Sequence, residues 1–241
     1  MRSRKKLLIQ IPAYNEEEHI EDAIRDLPSS VDGFDSVHVV VINDGSTDGT
    51  VDIVKGLGVE CLDMARHYGM GMAFRKGLEY GISNGCDVIV NTDADLQYQG
   101  ADIFKITSPI LNGTADIVIA DRQLEKVEGY PPLKLISQKA GSLSASLLLR
   151  SSVKDVTSGF RAYSKDCAIS LAGQVRNVYD YAVESLCISS RNNMRTRFVP
   201  VNIRYPTRKS RLINSKIYYT RNFLSTLLRY ALPGYLCGYR E

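Results

Sequence analysis

Three oxygen-bearing side chains, Asp93, Asp95 and Gln97, follow directly after the apolar run Asp87–Val90. In an extended chain Asp93 and Asp95 project to the same side, and a turn brings both carboxylates close to the Gln97 amide. Carboxylate and amide oxygens are the ligands that Mg²⁺ and Mn²⁺ prefer, and these ions commonly bridge phosphates. An Asp-x-Asp pair also often caps the following helix, so its spacing alone does not establish a metal site.

Two further polar clusters follow apolar runs in the same way. Residues 12–17 come after the run Lys6–Ile11, and residues 44–50 come after Val37–Asn43. Asn15, with Glu18 three residues later, resembles a capping box and predicts a helix start. In open α/β sheets ligands bind at the carboxyl ends of the strands. The three polar clusters are therefore predicted to lie at the ligand-binding edge of a sheet.

The elements that position these clusters form an alternating pattern. Apolar runs such as Val37–Asn43 are almost continuous, which is typical of strands buried on both faces. The pattern predicts an α/β fold, with a mostly parallel sheet flanked by helices. Helices are predicted at Glu16–Leu27, Thr47–Leu57, Ala101–Leu111 and Leu133–Leu149, and further strands at Asp116–Ala120 and Arg197–Tyr205.

Composition excludes several classes of protein. With 241 residues, of which 44% are hydrophobic and 24% charged, the chain has enough apolar surface for a sizeable core and is not disordered. Five cysteines form no Cys-x-x-Cys pair and cannot all pair within one chain, which favours a reduced, cytoplasmic compartment. No apolar run approaches the roughly 18 residues of a membrane span, so we expect a soluble or peripheral protein.

Charge is distributed unevenly along the chain. Residues 185–240 hold eleven Lys or Arg and no Asp or Glu, which suggests an anionic substrate or surface, or simply a solvated basic face. Within this part a helix is predicted at Ile213–Leu232, with an apolar stripe of Ile213, Ile217, Leu224, Leu227, Leu228 and Ala231. Such a stripe fits core packing, dimerisation or a bilayer interface equally well.

Four segments together resemble a known family: Ile11–Glu17, Val41–Thr50, Asp93–Gln97 and Asp155–Arg161. The first three resemble the fingerprints of the family 2 inverting glycosyltransferases, which have the Rossmann-like GT-A fold. The fourth narrows the resemblance to the dolichol-phosphate mannosyltransferase-like branch, the polyprenyl-phosphate sugar synthases. The resemblance covers most of residues 7–211. It implies a catalytic domain at 1–212, followed by a basic amphipathic helix and tail at 213–241 for which contact with a membrane is one expectation.

The resemblance implies residues for the nucleotide-sugar donor and for a divalent ion. Asp93, Asp95 and Gln97 carry over as ligands of Mg²⁺ or Mn²⁺ at the diphosphate, whose charge the ion stabilises as it departs. The implied nucleotide-sugar contacts are Pro12, Ala13, Tyr14, Glu16, Asp44, Asp93, Arg204 and Arg211. Taken alone, Asp44 is equally well explained as a turn or helix-cap residue.

The resemblance also implies an acceptor site for a polyprenyl phosphate. Its residues are Arg122, Lys134, Ser137 and Arg161, and the residues implied in catalysis are Asp95, Arg122, Arg204 and Glu184. A phosphate oxygen is already anionic near neutral pH, so it needs positive charge around it rather than a strong general base. The alternative for an isolated Lys or Arg is solvated surface, and for Asp180 with Glu184 it is an exposed helix pair.

Two features depart from the family pattern. In the segment His67–Ala73, Met70 stands where the family usually has a lysine, so one contact to the nucleotide sugar is lost or supplied elsewhere. Transmembrane helices, which follow the catalytic domain in many relatives, are not seen in this sequence. Membrane contact is therefore expected from the basic C-terminal helix or from a partner.

The resemblance implies an inverting transfer of a hexose (mannose, glucose or N-acetylglucosamine) to dolichyl or undecaprenyl phosphate at the cytoplasmic membrane face. GDP-mannose and UDP-hexoses are the expected nucleotide sugars, and no nucleic acid is expected as a partner. One alternative keeps the fold and transfers the sugar to a saccharide or protein hydroxyl. Another is a non-catalytic nucleotide-binding protein. The oligomeric state stays open.

Overall fold

A computed structural model of the chain describes residues 4–176, 181–204 and 216–231. Within these ranges one sheet of seven strands has the order β3-β2-β1-β4-β6-β5-β7. The strands are β1 (Lys6–Ala13), β2 (Ser36–Asn43), β3 (Glu60–Asp63), β4 (Val88–Asn91), β5 (Ile117–Asp121), β6 (Arg161–Ser164) and β7 (Thr196–Pro200). Strand β6 runs antiparallel to both of its neighbours, and the other described pairings are parallel. The prediction of a mostly parallel α/β sheet is confirmed.

Helices cover both faces of this sheet. They are α1 (Ile20–Arg25), α2 (Thr50–Gly56), α3 (Met70–Ser83), α4 (Ile103–Leu111), α5 (Pro132–Leu149), α6 (Lys165–Gln174), α7 (Tyr181–Arg191) and α8 (Lys216–Ala231). Successive strand residues point to opposite faces, so Leu7 and Ile9 pack in a core with α4, whereas Leu8 packs in a core with α3, α6 and α7. This double burial explains the almost continuous apolar runs of the central strands.

The predicted capping box at Asn15 and Glu18 is wrong. Helix α1 begins only at Ile20, and its N-cap makes no side-chain hydrogen bond. Asn15 has a left-handed φ of 55°, and its Oδ1 accepts a hydrogen bond of 2.8 Å from the Thr47 amide. The asparagine therefore joins the loop after β1 to the loop after β2 instead of starting a helix.

Helix α8 packs on α5 and α7 through a face that differs from the predicted stripe. Phe223, Thr226 and Leu227 are buried, whereas Leu224 and Leu228 of the predicted stripe are exposed. Ile213 lies outside the described residues. Among the helices that the structure describes, none is long and apolar enough to span a membrane.

Candidate active site

The loops that follow β1 and β2 are tied together at the carboxyl edge of the sheet. The Asp44 amide donates to the Ala13 carbonyl over 2.9 Å, and the Glu16 amide donates to Thr50 Oγ1 over 2.8 Å. The Asn15 amide donates to Ser46 Oγ over 2.9 Å. Because so many of their polar groups bind each other, the two loops form one rigid wall beside the ends of the strands.

Asp44 fixes a third loop against this wall. Its buried carboxylate accepts hydrogen bonds from the amides of Tyr68 (2.7 Å) and Gly69 (2.8 Å), and His67 Nδ1 lies 2.9 Å from Asp44 Oδ2. A Cβ atom at Gly45 would lie 2.5 Å from the Arg66 carbonyl carbon, and Gly45 has a φ of +74°. Only glycine allows this close approach, so the loop at residues 66–69 depends on both Asp44 and Gly45.

These loops enclose an open groove of about 870 Å³ at the ends of β1, β2 and β3. Tyr14 and His67 line it and stack with their ring centroids 4.0 Å apart. Asp63 and Arg66 contribute opposite charges to the same lining. The volume matches that of small-ligand sites, and the stacked rings with nearby polar groups suit a flat heteroaromatic base.

The acidic loop after β4 places two carboxylates close together, with Glu16 of the loop after β1 nearby. Burial of the Asp93 carboxylate and the charge of Asp95 raise the pKa of Asp93 to about 7, and the nearby Glu16 adds to the effect. Asp95 Oδ1 accepts a hydrogen bond of 3.1 Å from the backbone N–H of Gln97. Leu96 between them has an unusual left-handed φ of 59°. The loop therefore concentrates negative charge where the sheet opens.

The chemistry of this loop fits a divalent cation. Two neighbouring carboxylates repel each other unless a cation or a proton neutralises them, and hard oxygen atoms suit Mg²⁺ or Mn²⁺. Among the residues that the structure describes, no group of three or more His, Cys, Asp or Glu side chains forms a metal site by itself. Asp93 and Asp95 are the residues that would hold an ion here, with further oxygen atoms from elsewhere.

Arg122 closes the other side of the acidic loop. Its guanidinium forms a buried, bidentate ion pair with Asp155, at 2.6 and 2.8 Å, and donates to Thr157 Oγ1 at 2.7 Å. Its Nη1 also lies 3.4 Å from Gln97 Oε1. Desolvation favours a neutral Asp155, but Arg122 outweighs it and holds the pKa of that carboxyl below its usual value. Arg122 thus joins the acidic loop to the segment 155–157.

Comparison with known proteins identifies the family. The family model described as Glycosyl transferase family 2 matches residues 8–171, more than half of the chain. The chain belongs to glycosyl transferase family 2. The groove and the acidic loop both lie within the matched residues.

Relatives and solved structures agree with this assignment. The chain is 29% identical over 221 residues to the UDP-N-acetylglucosamine--dolichyl-phosphate N-acetylglucosaminyltransferase of Methanococcus voltae, covering 83% of this chain and 86% of the relative. It is 30% identical over 205 residues to the undecaprenyl-phosphate mannosyltransferase of Micrococcus luteus, covering 81% and 82%. The glucosyl-3-phosphoglycerate synthase of Mycobacterium tuberculosis, crystallised with Mn²⁺, UDP and phosphoglyceric acid, superposes with a TM-score of 0.73 at 22% identity, covering 95% of this chain and 79% of that chain. That likeness shows a shared GT-A fold.

Two residues expected at the acceptor of this glycosyltransferase lie on α5, and one of them, Lys134, is near Arg122. Lys134 and Ser137 are exposed on the first two turns of α5. Partial burial and the positive charge of Arg122 lower the pKa of Lys134, which places the two cations in the same electrostatic neighbourhood. The ring of Tyr130 lies 5.3 Å from Lys134 Nζ. Positive charge is therefore concentrated beside the acidic loop.

Arg161 and Glu184 are placed differently from what the resemblance implied. Arg161 is fully buried and donates to the carbonyls of Ser158, Val156 and Ala182, so it holds the backbone of the active-site loop rather than offering donors to an acceptor. Glu184 is buried too, and accepts hydrogen bonds of 2.9 Å from the Arg176 amide and from Tyr230 Oη on α8. Its carboxylate joins α7 to α8.

The remaining expected residues have different positions. The Arg204 amide donates to the Gln97 carbonyl over 2.9 Å, but its guanidinium binds Asp26 at 2.9 Å, so Arg204 supports the acidic loop through its backbone. Pro12 and Ala13 are buried at the end of β1, and Tyr14 reaches the groove. Arg211 and Asp180 lie outside the described residues.

Sequence reasoning missed a buried polar network behind the acidic loop. Gln10 donates to Asn91 Oδ1 over 2.9 Å, and Asn91 Nδ2 donates to the Gly159 carbonyl over 3.0 Å. A Cβ atom at Gly159 would lie 2.7 Å from both carboxylate oxygens of Asp93. The network therefore holds Gly159 directly against Asp93. A polar residue in each of two apolar strand runs was the signal available in the sequence.

The raised pKa of Asp93 should make the free energy of unfolding depend on pH in an unusual way. The pKa of Asp93 is about 7 in the folded protein against an ordinary value of 3.8, so the folded state holds this proton more tightly than the unfolded state. Without divalent cations, its contribution to the free energy of unfolding falls as pH rises from about 4 to about 7. We measure the melting temperatures of wild type and Asp93→Asn in EDTA from about pH 4 to about pH 7. The difference, wild type minus variant, should fall as pH rises, and Mn²⁺ should make this fall smaller. If the difference did not change with pH, the raised pKa of Asp93 would be contradicted.

Proposed function

We propose that the protein transfers a hexose from a nucleotide sugar to a polyprenyl phosphate, with inversion at the anomeric carbon, at the cytoplasmic face of a membrane. The observation that carries the proposal is the exposed Lys134 at the start of α5, near the Arg122–Asp155 pair that borders the acidic loop. The carboxylates suit a cation-bound diphosphate, and the basic side chains suit a second, anionic reactant. Of the relatives named above, the one at 29% identity is named as a dolichyl-phosphate N-acetylglucosaminyltransferase, and the one at 30% identity is named as an undecaprenyl-phosphate mannosyltransferase.

The proposed reaction is a single displacement. A phosphate oxygen of the acceptor forms a bond to the anomeric carbon while the bond from that carbon to the nucleoside diphosphate breaks, so the sugar is inverted. Asp93 and Asp95 would hold a Mg²⁺ or Mn²⁺ ion, which would supply positive charge for the diphosphate. Lys134 and Ser137 bind the acceptor phosphate, and Arg122 adds charge while it orders the segment 155–157 beside it.

The nucleotide lies in the groove after β1, β2 and β3 in this proposal. Its base stacks on the Tyr14 and His67 rings, and the loop held by Asp44 forms one side of the pocket. The relatives use different sugars, so GDP-mannose and UDP-hexoses are both candidates. Mn²⁺ and UDP in the solved neighbour support a nucleotide bound together with a cation.

A saccharide or protein hydroxyl acceptor would need a general base to remove its proton. The candidates for that role are Asp180 and Glu184. Asp180 lies outside the described residues, and the buried Glu184 carboxylate accepts hydrogen bonds from the Arg176 amide and from Tyr230, which argues against Glu184 as the base.

The test compares acceptors that differ only in the phosphate. Purified protein is incubated with Mn²⁺ and labelled GDP-mannose, UDP-glucose or UDP-N-acetylglucosamine, together with a short polyprenyl phosphate, the matching polyprenol or a free saccharide. We expect labelled lipid only with the polyprenyl phosphate and one of the nucleotide sugars. Transfer to a hydroxyl acceptor alone would overturn the proposed acceptor, and nucleotide binding without any transfer would indicate a non-catalytic protein.

Replacing Asp44 tests the nucleotide pocket. In Asp44→Asn the new amide Nδ2 would face the N–H of Tyr68 or Gly69, and an unsatisfied buried donor costs roughly 1–3 kcal/mol. We expect the affinity for the nucleoside diphosphate to fall by about tenfold or more, measured by calorimetry with Mn²⁺ present. Asp52→Asn, at an exposed position of α2 on the same groove, serves as the matched control. Equal affinities for the two variants would contradict this role of Asp44.

A further inference from the structure

Helix α5 exposes a continuous apolar stripe. Leu133, Ile136, Leu143 and Leu147 are 74, 64, 61 and 71% exposed. Their spacing of three, seven and four residues puts them on one side of the helix, together with Ala140. The opposite side carries Ser142 and Ala145, which are buried against the core. A soluble helix normally buries its large apolar side chains, so a stripe of four in solvent marks an interaction surface.

Charge indicates which partner fits this stripe. Neither α5 nor the adjacent α8 contains an Asp or Glu, although the chain holds 27 acidic residues among 241. Lys134 and Lys139 lie on α5, and Arg221 and Arg229 lie on α8. A helix with an apolar face, flanking basic side chains and no acids is typical of one that lies in the interface of an anionic bilayer.

Helix α8 adds to the same surface region. It packs beside α5, where a Cβ atom at Gly141 would lie 3.4 Å from the Phe223 ring. Leu224 and Leu228 on α8 are 43 and 47% exposed. Among the described residues, seven of the eleven exposed large apolar side chains thus lie on these two neighbouring helices, counting Leu148 of α5.

The acceptor residues lie at the same end of α5 as the start of the stripe. Lys134 and Ser137 share the first two turns with Leu133 and Ile136, and Lys134 lies on the side of the helix away from the stripe, near Arg122. We infer that α5, with its stripe Leu133, Ile136, Leu143 and Leu147, lies in the headgroup region of an anionic bilayer and brings Lys134 and Ser137 to the phosphate of a membrane-borne acceptor. This inference rests on the proposed function for the identity of the acceptor, but not for the contact with lipid. It assigns the main membrane contact to α5, whereas the sequence had left the C-terminal helix or a partner as the candidates.

Vesicle flotation tests the lipid contact without any acceptor. The full-length protein is mixed with vesicles of phosphatidylcholine alone or with added phosphatidylglycerol, and the bound fraction is measured. We expect wild type to float with the anionic vesicles, and Leu143→Gln/Leu147→Gln to bind at least about tenfold more weakly. The matched control is Phe104→Gln/Ile169→Gln, because these side chains are 46 and 48% exposed on α4 and α6. The control should bind like wild type.

Two further measurements separate the outcomes. Melting temperatures show that both double variants are folded, and light scattering gives their oligomeric state. If Leu143→Gln/Leu147→Gln floats like wild type, the inference is overturned. If, in addition, wild type is a dimer and this variant is a monomer, the stripe is a contact between two copies of the chain. With a water-soluble short-chain acceptor, the variant should keep wild-type turnover, whereas turnover on vesicle-borne acceptor should fall. Loss of flotation in a protein that transfers no sugar to any lipid phosphate would support the lipid contact and refute only the proposed function.

Discussion

The double variant Asp93→Asn/Asp95→Asn is expected to lose roughly a thousandfold or more in kcat/KM for sugar transfer. Both carboxylates lie in one loop, and burial of Asp93 together with the charge of Asp95 raises the pKa of Asp93 to about 7. Amides keep the size of the side chains but remove both negative charges, so a divalent cation loses the two groups that would hold it. The departing diphosphate then develops its charge without stabilisation.

A control variant that replaces two other aspartates by asparagine shows whether the loss of transfer is due to the site or to the loss of two negative charges in general. Asp22→Asn/Asp166→Asn changes two exposed aspartates in the first turns of α1 and α6. We expect it to keep wild-type turnover and Mn²⁺-dependent nucleotide affinity. The site variant should lose the Mn²⁺ dependence of nucleotide binding yet melt at or above the wild-type temperature without metal, because it no longer contains two repelling carboxylates.

Arg122→Ala is expected to have the largest effect on folding. It would leave the Asp155 carboxylate buried without its bidentate partner, and breaking such a pair typically costs about 3–5 kcal/mol. For a domain of this size that lowers the melting temperature by about 10 °C. Transfer should fall as well, because the segment 155–157 loses the contact that places it beside the acidic loop and Lys134 loses a neighbouring cation.

Arg195→Ala is the matched control for Arg122→Ala. Arg195 also makes a bidentate ion pair, with Asp116, but on the surface, where solvent screening makes such pairs weak. Its melting temperature should stay close to that of wild type. Arg122→Lys keeps the charge without the planar fork, and we expect intermediate stability. If Arg122→Ala melted like Arg195→Ala, the buried pair would not order the site.

The sequence predicted the positions of the loops better than the contacts within them. Runs such as Val37–Asn43 are apolar because both faces of the central strands are buried, so the polar residues that follow each run had to lie at the edge of the sheet. The same argument could not find β3 or β6. Both are four residues long, and β6 contains Arg161, whose burial depends on carbonyl groups from distant segments.

Two other differences also have a tertiary origin. Asn15 has the chemistry of a helix cap, but the neighbouring loop at Thr47 offered it a different partner. The apolar pattern of α8 fits several rotations of the helix, and the one observed is set by the contacts of Phe223 and Leu227 with the core. Residue type limited the options in both cases, and long-range packing chose among them.

Removal and return of the metal tests the central claim most directly: a divalent cation between two aspartates and a nucleotide sugar, facing a lipid phosphate held by basic side chains. Transfer of labelled sugar to polyprenyl phosphate is measured in Mn²⁺, after addition of EDTA, and after Mn²⁺ is restored in excess. We expect transfer by wild type to stop with EDTA and to return with Mn²⁺, and Asp93→Asn/Asp95→Asn to show no transfer in any of the three conditions. Undiminished transfer in EDTA, or in the double variant, would contradict the central claim.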